Sequence, residues 1–280
     1  MMTNKTVNSN ELDLAGRVSV ITGGTAGIGL AIAKSFFTHN SSVIITGRDK
    51  EKGKAALEQI MSLKERYPET GRQGQQAVFM QCDSGNHDEV KAACENIIKI
   101  FGKADVLVLN AAMEHAEAIN EVEPDTWQRM VDVNISGAFY FVRYLTSKMI
   151  EQGYGNIIML SSVAKITGAG AGVHYPTTKA ALGGLMARIN YELLSKGIRS
   201  NMISPGMADT PMLRRKYPDT DEINKKLIEQ VPVGWIAKPE EIANLALFLA
   251  SGMSSYICGQ DILIDGGRLY YRRPGATAKK

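Results

Sequence analysis

The chain has 280 residues, of which 44% are hydrophobic and 22% charged, a composition typical of soluble globular proteins and unlike that of disordered or fibrous chains. The formal net charge of +3 comes from the last thirteen residues, because the rest of the chain holds 27 basic and 29 acidic residues. A nearly neutral body argues against nucleic-acid binding, which needs a basic face. We predict that residues 268–280 form a solvated basic tail.

The cysteines and histidines exclude several kinds of site. Cys82, Cys94 and Cys258 lie far apart and are odd in number, so they predict no disulfide framework. The four histidines have no metal-ligand spacing. No apolar run approaches the roughly 20 residues of a membrane span, and the polar start lacks the apolar core of a signal peptide. We expect a cytoplasmic protein with a flexible extension at residues 1–13 and with no metal, membrane or nucleic-acid partner.

Short apolar runs alternate with longer amphipathic stretches along the whole chain. The apolar runs predict seven strands, at residues 17–22, 42–47, 77–82, 105–110, 156–161, 199–204 and 261–265. The amphipathic stretches predict helices at residues 26–39, 50–66, 87–101, 125–151, 175–196 and 239–251. Continuously apolar strands are typical of a parallel sheet covered on both faces, and strand–helix alternation implies right-handed βαβ units.

The predicted fold class is therefore α/β. We expect a single doubly wound, Rossmann-like domain over residues 14–267, with a parallel seven-stranded sheet and helices on both faces. Residues 206–235 are rich in methionine, proline and charge and have the least regular pattern. We expect this segment to form a substrate flap over a cleft.

The sequence TGGTAGIG, residues 22–29, follows the first predicted strand and opens the first helix. Gly23, Gly27 and Gly29 would allow a tight turn and a close approach of the backbone to a pyrophosphate, which the helix N-terminus attracts. The spacing differs from the general G-x-G-x-x-G fingerprint, and alone it also fits an ordinary turn. Its position between a strand and a helix favours dinucleotide binding.

The second strand ends in TGRD, which bears on the choice of dinucleotide. In such folds an acid at this point binds the ribose 2′-hydroxyl of NAD, whereas an arginine accommodates the 2′-phosphate of NADP. Arg48 can reach a phosphate, and Asp49 is well placed to cap the next helix. We favour NADP and keep NAD as possible; the alternative is that Arg48 is only a surface charge.

Polar residues also follow the third and fourth strands. Asp83 can accept a hydrogen bond from an adenine amino group, or it can be the N-cap of the next helix. The NAA sequence at residues 110–112 has small side chains at a point where the backbone must pass close to a flat ligand. Asn134 interrupts a long helical pattern, and because asparagine is a weak helix former we expect it to hydrogen-bond, structurally or catalytically.

The sequence HYPTTK contains Tyr175 and Lys179, four residues apart on one helix face, thirteen residues after Ser162. Pro176 favours a helix start. A free tyrosine has a pKa of about 10, and a nearby ammonium lowers it, which would make Tyr175 a general acid/base. The structural alternative is a buried tyrosine with an adjacent lysine.

The sixth strand ends in SPGMADTP, residues 204–211. Pro205 and Gly206 predict a turn. Thr210 can offer its hydroxyl to a ligand, or it can cap a helix that begins with a proline.

These motifs, in this order and spacing, resemble the short-chain dehydrogenase/reductase family from about Leu14 to Gly267. The resemblance implies NAD(P)-dependent hydride transfer between nicotinamide C4 and the carbonyl or alcohol carbon of a small substrate. It implies that Tyr175 is the general acid/base and that Ser162 binds the substrate oxygen. It also implies that Lys179 holds the nicotinamide ribose and lowers the tyrosine pKa, and that Asn134 holds a water that relays protons. The family is commonly homotetrameric.

The resemblance also implies a set of cofactor-binding residues. They are Gly23, Thr25, Gly27, Ile28, Gly29, Arg48, Asp83, Ser84, Asn110, Ala111, Tyr175, Lys179, Pro205, Gly206, Ala208 and Thr210. Two departures from the family pattern are Ala112, in place of the glycine of an Asn-Ala-Gly motif, and Thr25–Ala26, where NADP-preferring members often carry a basic residue. The NADP choice therefore depends on Arg48.

The substrate is left open by the sequence. The stretches VPVGWIAKPEEIA and SSYICGQDILIDGGRLY are similar to those of glucose 1-dehydrogenase-like sugar and polyol dehydrogenases and also to 3-oxoacyl-carrier-protein reductases. We expect Glu114, His115, Lys165 and His174 near the substrate cleft, with solvent-exposed loop charges as the alternative. Met207, Met212 and Leu213 predict an apolar wall. Non-enzymatic alternatives are a dinucleotide-sensing protein and nucleic-acid binding through the tail.

Overall fold

A computed structural model describes residues 12–66 and 74–270, in which seven parallel strands form one sheet in the order β3-β2-β1-β4-β5-β6-β7. The strands are β1 (Val18–Ile21), β2 (Ser42–Gly47), β3 (Ala77–Gln81), β4 (Val106–Leu109), β5 (Gly155–Leu160), β6 (Ile198–Pro205) and β7 (Asp261–Ile264). All seven predicted strands are present, with ends that differ by at most one residue.

Helices connect the strands and cover both faces of the sheet. They are α1 (Gly27–Thr38), α2 (Lys50–Met61), α3 (Leu63–Arg66), α4 (His87–Phe101), α5 (Pro124–Val131), α6 (Gly137–Glu151), α7 (Ala164–Thr167), α8 (His174–Leu193), α9 (Pro211–Lys216), α10 (Asp221–Ile228) and α11 (Pro239–Ala250). A π-helical turn (Asp132–Ser136) joins α5 to α6, and 3-10 turns lie at Leu194–Lys196 and Gly252–Ser254.

Two hydrophobic cores lie on opposite faces of the sheet. One contains the inward faces of α4, α6 and α8, and the other those of α1, α2 and α11. Residues of β1, β4, β5 and β6 are buried throughout, because helices cover both of their faces. The predicted doubly wound, Rossmann-like α/β fold with a seven-stranded parallel sheet is therefore confirmed.

The helical predictions were too coarse in three places. The stretch 50–66 divides into α2 and α3, and the stretch 125–151 divides at the π-helical turn. The segment 206–235 contains α9 and α10, which periodicity does not reveal because they have six and eight residues. Each begins with a threonine cap: Thr210 accepts a hydrogen bond from the N–H of Leu213, and Thr220 accepts one from the N–H of Ile223.

Several sequence expectations concern absences or chain ends. All three cysteines are free. Within the described ranges there is no cluster of side chains suited to a metal ion and no helix long and apolar enough to cross a bilayer. The predicted extension at 1–13 and the basic tail at 268–280 lie almost wholly outside the described residues.

Candidate active site

A cleft of about 960 Å³ opens at the carboxyl ends of the strands, where the order of the sheet reverses between β1 and β4. Ligands of doubly wound folds bind at such a switch point. Most of the predicted site residues line this cleft: Gly23, Thr25, Gly27, Ile28, Arg48, Asp83, Ser84, Asn110, Ala111, Ser162, Tyr175, Lys179, Pro205, Gly206, Ala208 and Thr210. Gly29 and Asn134 lie behind its wall.

The glycine-rich turn leaves the N-terminus of α1 open to the cleft. Gly23 and Gly27 have φ values of +63° and +53°, which side chains rarely adopt. The N-cap, Ala26, provides no side-chain hydrogen bond, and the first turn contains no acid. Its unpaired N–H groups and the positive end of the helix dipole form an anion site. A dinucleotide pyrophosphate fits this turn.

Gly29 has a packing role in the same turn. A Cβ at this position would lie 2.4 Å from the carbonyl oxygen of Gly23, so only glycine allows the helix to approach the turn this closely. Gly29 is buried and does not line the cleft. Gly29 therefore supports the shape of the turn, and its contact with a dinucleotide stays a prediction.

Arg48 and Asp49 have different surroundings at the end of β2. The Asp49 side chain accepts hydrogen bonds from the N–H groups of Glu51 and Lys52, and so caps α2. Asp49 does not line the cleft, whereas Arg48 does and is exposed there. The charged side chain that the end of β2 presents to the cleft is therefore a guanidinium, which would suit a 2′-phosphate.

Asp83 is held by two neighbours. One carboxylate oxygen accepts from the N–H of Gly85 at 2.9 Å, and the other accepts from the guanidinium of Arg129. Burial raises the pKa of this carboxyl, but the hydrogen bonds of Gly85 and Arg129 outweigh it, so the pKa is lowered. The N-cap of α4 is Asn86, so the capping alternative for Asp83 is wrong.

Arg129 is a residue of the cleft that sequence reasoning missed. It belongs to α5, and its guanidinium lines the cleft beside Asp83. Its sequence position gave no signal, because a charged residue on a helix normally faces solvent. Only the packing of α5 at the carboxyl edge of the sheet brings it into the cleft beside Asp83.

Asn110 fastens the end of β4 to the glycine-rich turn. Its amide donates to the carbonyl oxygens of Thr22 and Gly23, each at 3.0 Å. The Thr22 hydroxyl in turn accepts from the N–H groups of Asn110 and Ala111. The small residues of the NAA motif therefore set the shape of the cradle, since a Cβ on Gly23 would lie 2.9 Å from Ala111 Cα.

Asn134 lies in the π-helical turn and is 2% exposed. Its oxygen accepts from the N–H of Met113 at 2.7 Å, and its amide donates to the Met113 carbonyl and to the Thr178 hydroxyl, each at 3.0 Å. Thr178 donates to the carbonyl of Tyr175. Asn134 thus links the segment after β4 to the helix that carries Tyr175 and Lys179.

A second cavity, of about 10 Å³, lies beside Asn134. It is bounded also by Lys179 and Ser84, and its volume is about that needed for one water molecule. A polar space of this size connects the lysine to the π-helical turn.

Tyr175, Ser162 and Lys179 meet at the floor of the large cleft. Ser162 is half-buried and hydrogen-bonds to the Tyr175 hydroxyl, while Ser161 is buried and donates to the carbonyl of Lys179 at 2.9 Å. The Lys179 ammonium donates to the carbonyl of Leu160 at 2.7 Å and lies 5.7 Å from the centre of the Tyr175 ring. Ser162 is therefore the serine that faces the cleft.

The pKa values of Tyr175 and Lys179 differ from what we expected from the sequence. Burial raises the pKa of Tyr175 to about 12, with a further increase from Glu114, and only the Ser162 hydrogen bond opposes the change. Burial lowers the pKa of Lys179 to about 8. The prediction that Lys179 lowers the tyrosine pKa is wrong here, because desolvation dominates for both side chains.

We expect Lys179→Met to stabilise the protein at neutral pH by about 1–3 kcal/mol, because the buried ammonium destabilises the fold and the lost Leu160 hydrogen bond offsets part of the gain. Between pH 8 and 10.5 Lys179 is protonated in the unfolded wild-type chain but has lost its proton in the folded chain. The free energy of unfolding of wild type therefore rises with pH across this window. The gain should therefore shrink across this window.

Denaturant unfolding at neutral and alkaline pH measures the gain directly. Lys196→Met, at an exposed position, is the control and should change stability by less than about 0.5 kcal/mol. A Lys179→Met protein that is less stable than wild type at neutral pH would contradict the expectation.

The turn after β6 forms a further side of the cleft. The N–H of Gly206 donates to the carbonyl of Ile264 at 2.9 Å. Thr210 caps α9, with Pro211 in the first turn, as the structural alternative predicted. It also packs against the glycine-rich turn, since a Cβ on Gly27 would lie 3.3 Å from it. Thr210 therefore caps α9 and also lines the cleft.

The other half of the cleft has a mixed lining. Met207, Met212 and Leu213 form the predicted apolar wall, and Glu114 lies among them as expected. Sequence reasoning missed Arg215, Lys216 and Arg268, which also line this half. The sequence could not predict that these three cations meet in the cleft, because their positions depend on how the loops fold over the sheet.

Three residues predicted near the substrate lie elsewhere. Lys165 forms an ion pair with Asp261 at the start of β7. His174 is fully buried behind Tyr175 and accepts a hydrogen bond from the Tyr175 N–H at 3.1 Å. His115 is exposed and pairs with Glu117 at 2.9 Å. None of the three lines the cleft. Lys165 on α7 and His115 in the segment after β4 are held by other partners, and His174 at the start of α8 packs inward.

Comparison with known proteins gives matches over most of the chain. A family model described as enoyl-(acyl carrier protein) reductase matches residues 23–268. A 3-oxoacyl-[acyl-carrier-protein] reductase from Aquifex aeolicus is 35% identical over 257 residues, covering 92% of this chain and 99% of that protein. A 3alpha-hydroxysteroid dehydrogenase from Mediterraneibacter gnavus is 35% identical over 253 residues, covering 90% and 97%.

Among solved structures, a gluconate 5-dehydrogenase from Burkholderia cenocepacia, in complex with NADP and tartrate, has a TM-score of 0.82. It is 28% identical in sequence, and the match covers 94% of this chain and 99% of that one. The names of these proteins differ in substrate, but all describe reductases or dehydrogenases.

Proposed function

The chain belongs to the short-chain dehydrogenase/reductase family of NAD(P)-dependent oxidoreductases, and we propose that it reduces a carbonyl substrate with NADPH through the Tyr175 hydroxyl. The observation that carries this proposal is the meeting of Tyr175, Ser162 and Lys179 in a cleft that also contains the uncapped N-terminus of α1. A hydride donor and a proton donor would reach one bound carbonyl there.

The residues of the cleft fit a phosphorylated dinucleotide. The α1 N-terminus would bind the pyrophosphate, and Arg48 would bind the 2′-phosphate. Arg129 and Asp83 would border the adenosine, while Lys179 and Thr210 would border the nicotinamide end. When bound, the dinucleotide supplies the hydride. The solved relative in complex with NADP supports this preference, and NAD stays possible.

The proton chemistry of the site favours carbonyl reduction. With a pKa of about 12, Tyr175 keeps its proton at neutral pH and can donate it to a carbonyl oxygen. Ser162 would bind the same oxygen and stabilise the charge that develops on it. After donation, the 10 Å³ cavity between Lys179 and Asn134 would hold a water that returns a proton.

The substrate candidates include 3-oxoacyl thioesters and sugars or polyols. The bacterial reductase relative supports the first class, and the gluconate dehydrogenase structure supports the second. Residues 206–235 would act as the substrate flap, because α9 forms one side of the substrate half of the cleft. We further propose that the enzyme works in the cytoplasm, where its three free thiols stay reduced.

We propose a homotetramer as the working form. On α6 and α8, Phe139 is 45% exposed and Tyr191 is 83% exposed, and Tyr256, near β7, is fully exposed. Large apolar side chains on the outer faces of a helix pair and beside an edge strand are suited to contacts between copies. Sedimentation equilibrium would measure the mass, and a stable monomer would contradict this part of the proposal.

A panel of substrates tests the proposed reaction. We expect oxidation of NADPH, followed by absorbance, with at least one of a set of ketones, oxo sugar derivatives and 3-oxoacyl thioesters, and a lower kcat/KM with NADH. Binding of NADPH is measured separately by its fluorescence. A protein that binds no dinucleotide, or binds it and reduces none of the substrate classes, would contradict the proposal.

A further inference from the structure

The substrate half of the cleft has an excess of positive charge. Three cations line it, Arg215 and Lys216 from α9 and Arg268 from the segment after β7, and Glu114 is the only acid lining this half among the described residues. Arg48 and the Asp83–Arg129 pair belong to the adenosine end and do not balance these charges.

Arg214 and Arg215 are neighbours on α9 but have different environments. The Arg214 guanidinium is bonded to Asp209 and Asn224 and lies 3.5 Å from Asp219, so it holds the flap together. Arg215 makes no hydrogen bond or ion pair within residues 12–66 and 74–270, although it faces the cleft. Its guanidinium is therefore available to a ligand.

Lys216 and Arg268 extend the same positive region. Lys216 donates one hydrogen bond to the carbonyl of Gly170 at 3.0 Å, on the opposite side of the cleft, and has two further N–H donors. Arg268 donates to Gln230 at 3.0 Å and lines the cleft with the rest of its guanidinium. The cations thus lie around the mouth of the substrate half.

Glu114 lies deeper, between these cations and Tyr175. It is partly buried, and it interacts electrostatically with Arg215 and Lys216 on one side and with the Tyr175 hydroxyl on the other. It makes no hydrogen bond in the described part of the chain. A carboxyl group in this position can bind the hydroxyl groups next to a reacting carbon, since it accepts hydrogen bonds at two oxygens.

From this arrangement we infer that the substrate is a hydroxylated carboxylate, a sugar acid or its oxo form. Its carboxylate binds Arg215 and Lys216, and its hydroxyl groups bind Glu114, while the carbonyl reaches Ser162 and Tyr175. This inference rests on the proposed function and adds the substrate class. The carboxylate must lie several bonds from the reacting carbon, because close to Tyr175 it would meet the negative charge of Glu114.

The observations disfavour the other substrate classes. A neutral polyol would gain nothing from the Arg215 guanidinium, and a plain fatty acyl chain would place methylene groups against Glu114, which gains nothing from them. An anionic thioester would bring its phosphates to the mouth of the cleft, but it carries no hydroxyl group next to the reacting carbon, where Glu114 lies close to the Tyr175 hydroxyl. A substrate with a distant carboxylate and with hydroxyl groups next to the reacting carbon uses all of these side chains.

The test compares matched substrates that differ only at the anionic end. 5-Oxo-D-gluconate and L-sorbose form such a pair, because the second has CH2OH in place of the carboxylate, and other oxo acids are paired in the same way. With NADPH we expect a kcat/KM at least 10-fold higher for the acid. In the enzyme with bound NADP, calorimetry should show tighter binding of the sugar acid than of the polyol.

Variants identify the responsible residues. In Arg215→Ala the acid-to-neutral ratio of kcat/KM should fall by about 10- to 100-fold, as expected from the loss of one charge-assisted hydrogen bond. Arg215→Lys should retain part of the ratio. Lys225→Ala removes an equal charge from an exposed position of α10 outside the cleft, and its ratio should equal that of wild type.

The outcomes separate this inference from the proposed function. Reduction of 3-oxoacyl thioesters or neutral ketones, with no preference for carboxylates, would overturn the inference and leave the proposed function intact. A carboxylate preference that Arg215→Ala and Lys225→Ala change equally would also overturn it. Failure to bind NADPH would instead remove the proposed function itself, and the inference with it.

Discussion

Tyr175→Phe is expected to lower kcat for carbonyl reduction by about 10²- to 10⁴-fold, the range for loss of a positioned general acid. The substitution keeps the aromatic ring and removes only the hydroxyl that bonds Ser162. We therefore expect the dissociation constant of NADPH, measured by fluorescence, to stay within about 2-fold of wild type, since the Tyr175 ring and all the other predicted cofactor-binding residues are unchanged.

A tyrosine on the same helix provides the matched control. Tyr191 is 83% exposed on α8 and far from the cleft lining, so Tyr191→Phe should keep the wild-type kcat. Loss of activity in both variants would indicate damage to the helix and not loss of a proton donor. Wild-type kcat in Tyr175→Phe would remove the acid/base assignment.

The same assignment sets the pH dependence of wild type. Because burial raises the pKa of Tyr175 to about 12, the protonated form that reduction needs is present throughout the neutral range. Reduction should therefore vary little from pH 6 to 8, whereas alcohol oxidation, which needs the phenolate, should accelerate as the pH rises. Rates for both directions of one substrate pair, measured on one buffer series, test this.

Arg48→Ala is expected to raise the KM for NADPH by about 10- to 100-fold and to change the KM for NADH by less than about 2-fold. The reason is that a guanidinium–phosphate contact is charge-assisted, and only the phosphorylated dinucleotide can form it. Arg48 is exposed at the cleft, and Asp49, which would repel a phosphate, is turned away to cap α2. Initial-rate kinetics with both dinucleotides measure the two effects.

A lysine of the adjoining helix controls for general charge. Lys54 is exposed on α2 and pairs with Glu51, outside the cleft. Lys54→Ala should leave both Michaelis constants unchanged. Equal increases for NADPH and NADH in Arg48→Ala would show that the arginine supports the loop and does not recognise the phosphate.

The sheet could be predicted from the sequence because each strand is a short apolar run followed by a turn. β5 and β6, for example, are buried at every residue, which makes their pattern continuous and unambiguous. The order of motifs along the chain then predicted which side chains would meet, because parallel strands bring their carboxyl ends to one edge. Tyr175, Ser162 and Arg48 all line the cleft at that edge.

What the sequence did not predict depends on burial and on contacts between distant segments. The shift in the pKa of Tyr175 comes chiefly from burial, which a four-residue spacing to Lys179 does not reveal. The split of the long helix at Asn134 depends on hydrogen bonds to Met113 and Thr178, which lie in other elements. The role of Arg215 likewise depends on how the segment after β6 folds over the cleft.

The central claim is that the cleft holds a nicotinamide from which hydride passes directly to a carbonyl carbon, while Tyr175 protonates the oxygen. The most direct test uses NADPH deuterated at the transferred position of C4, with a reducible oxo substrate, and locates the label by NMR. We predict deuterium on the carbon that carries the new hydroxyl group. Product with no deuterium at that carbon, or label released into water, would contradict the account.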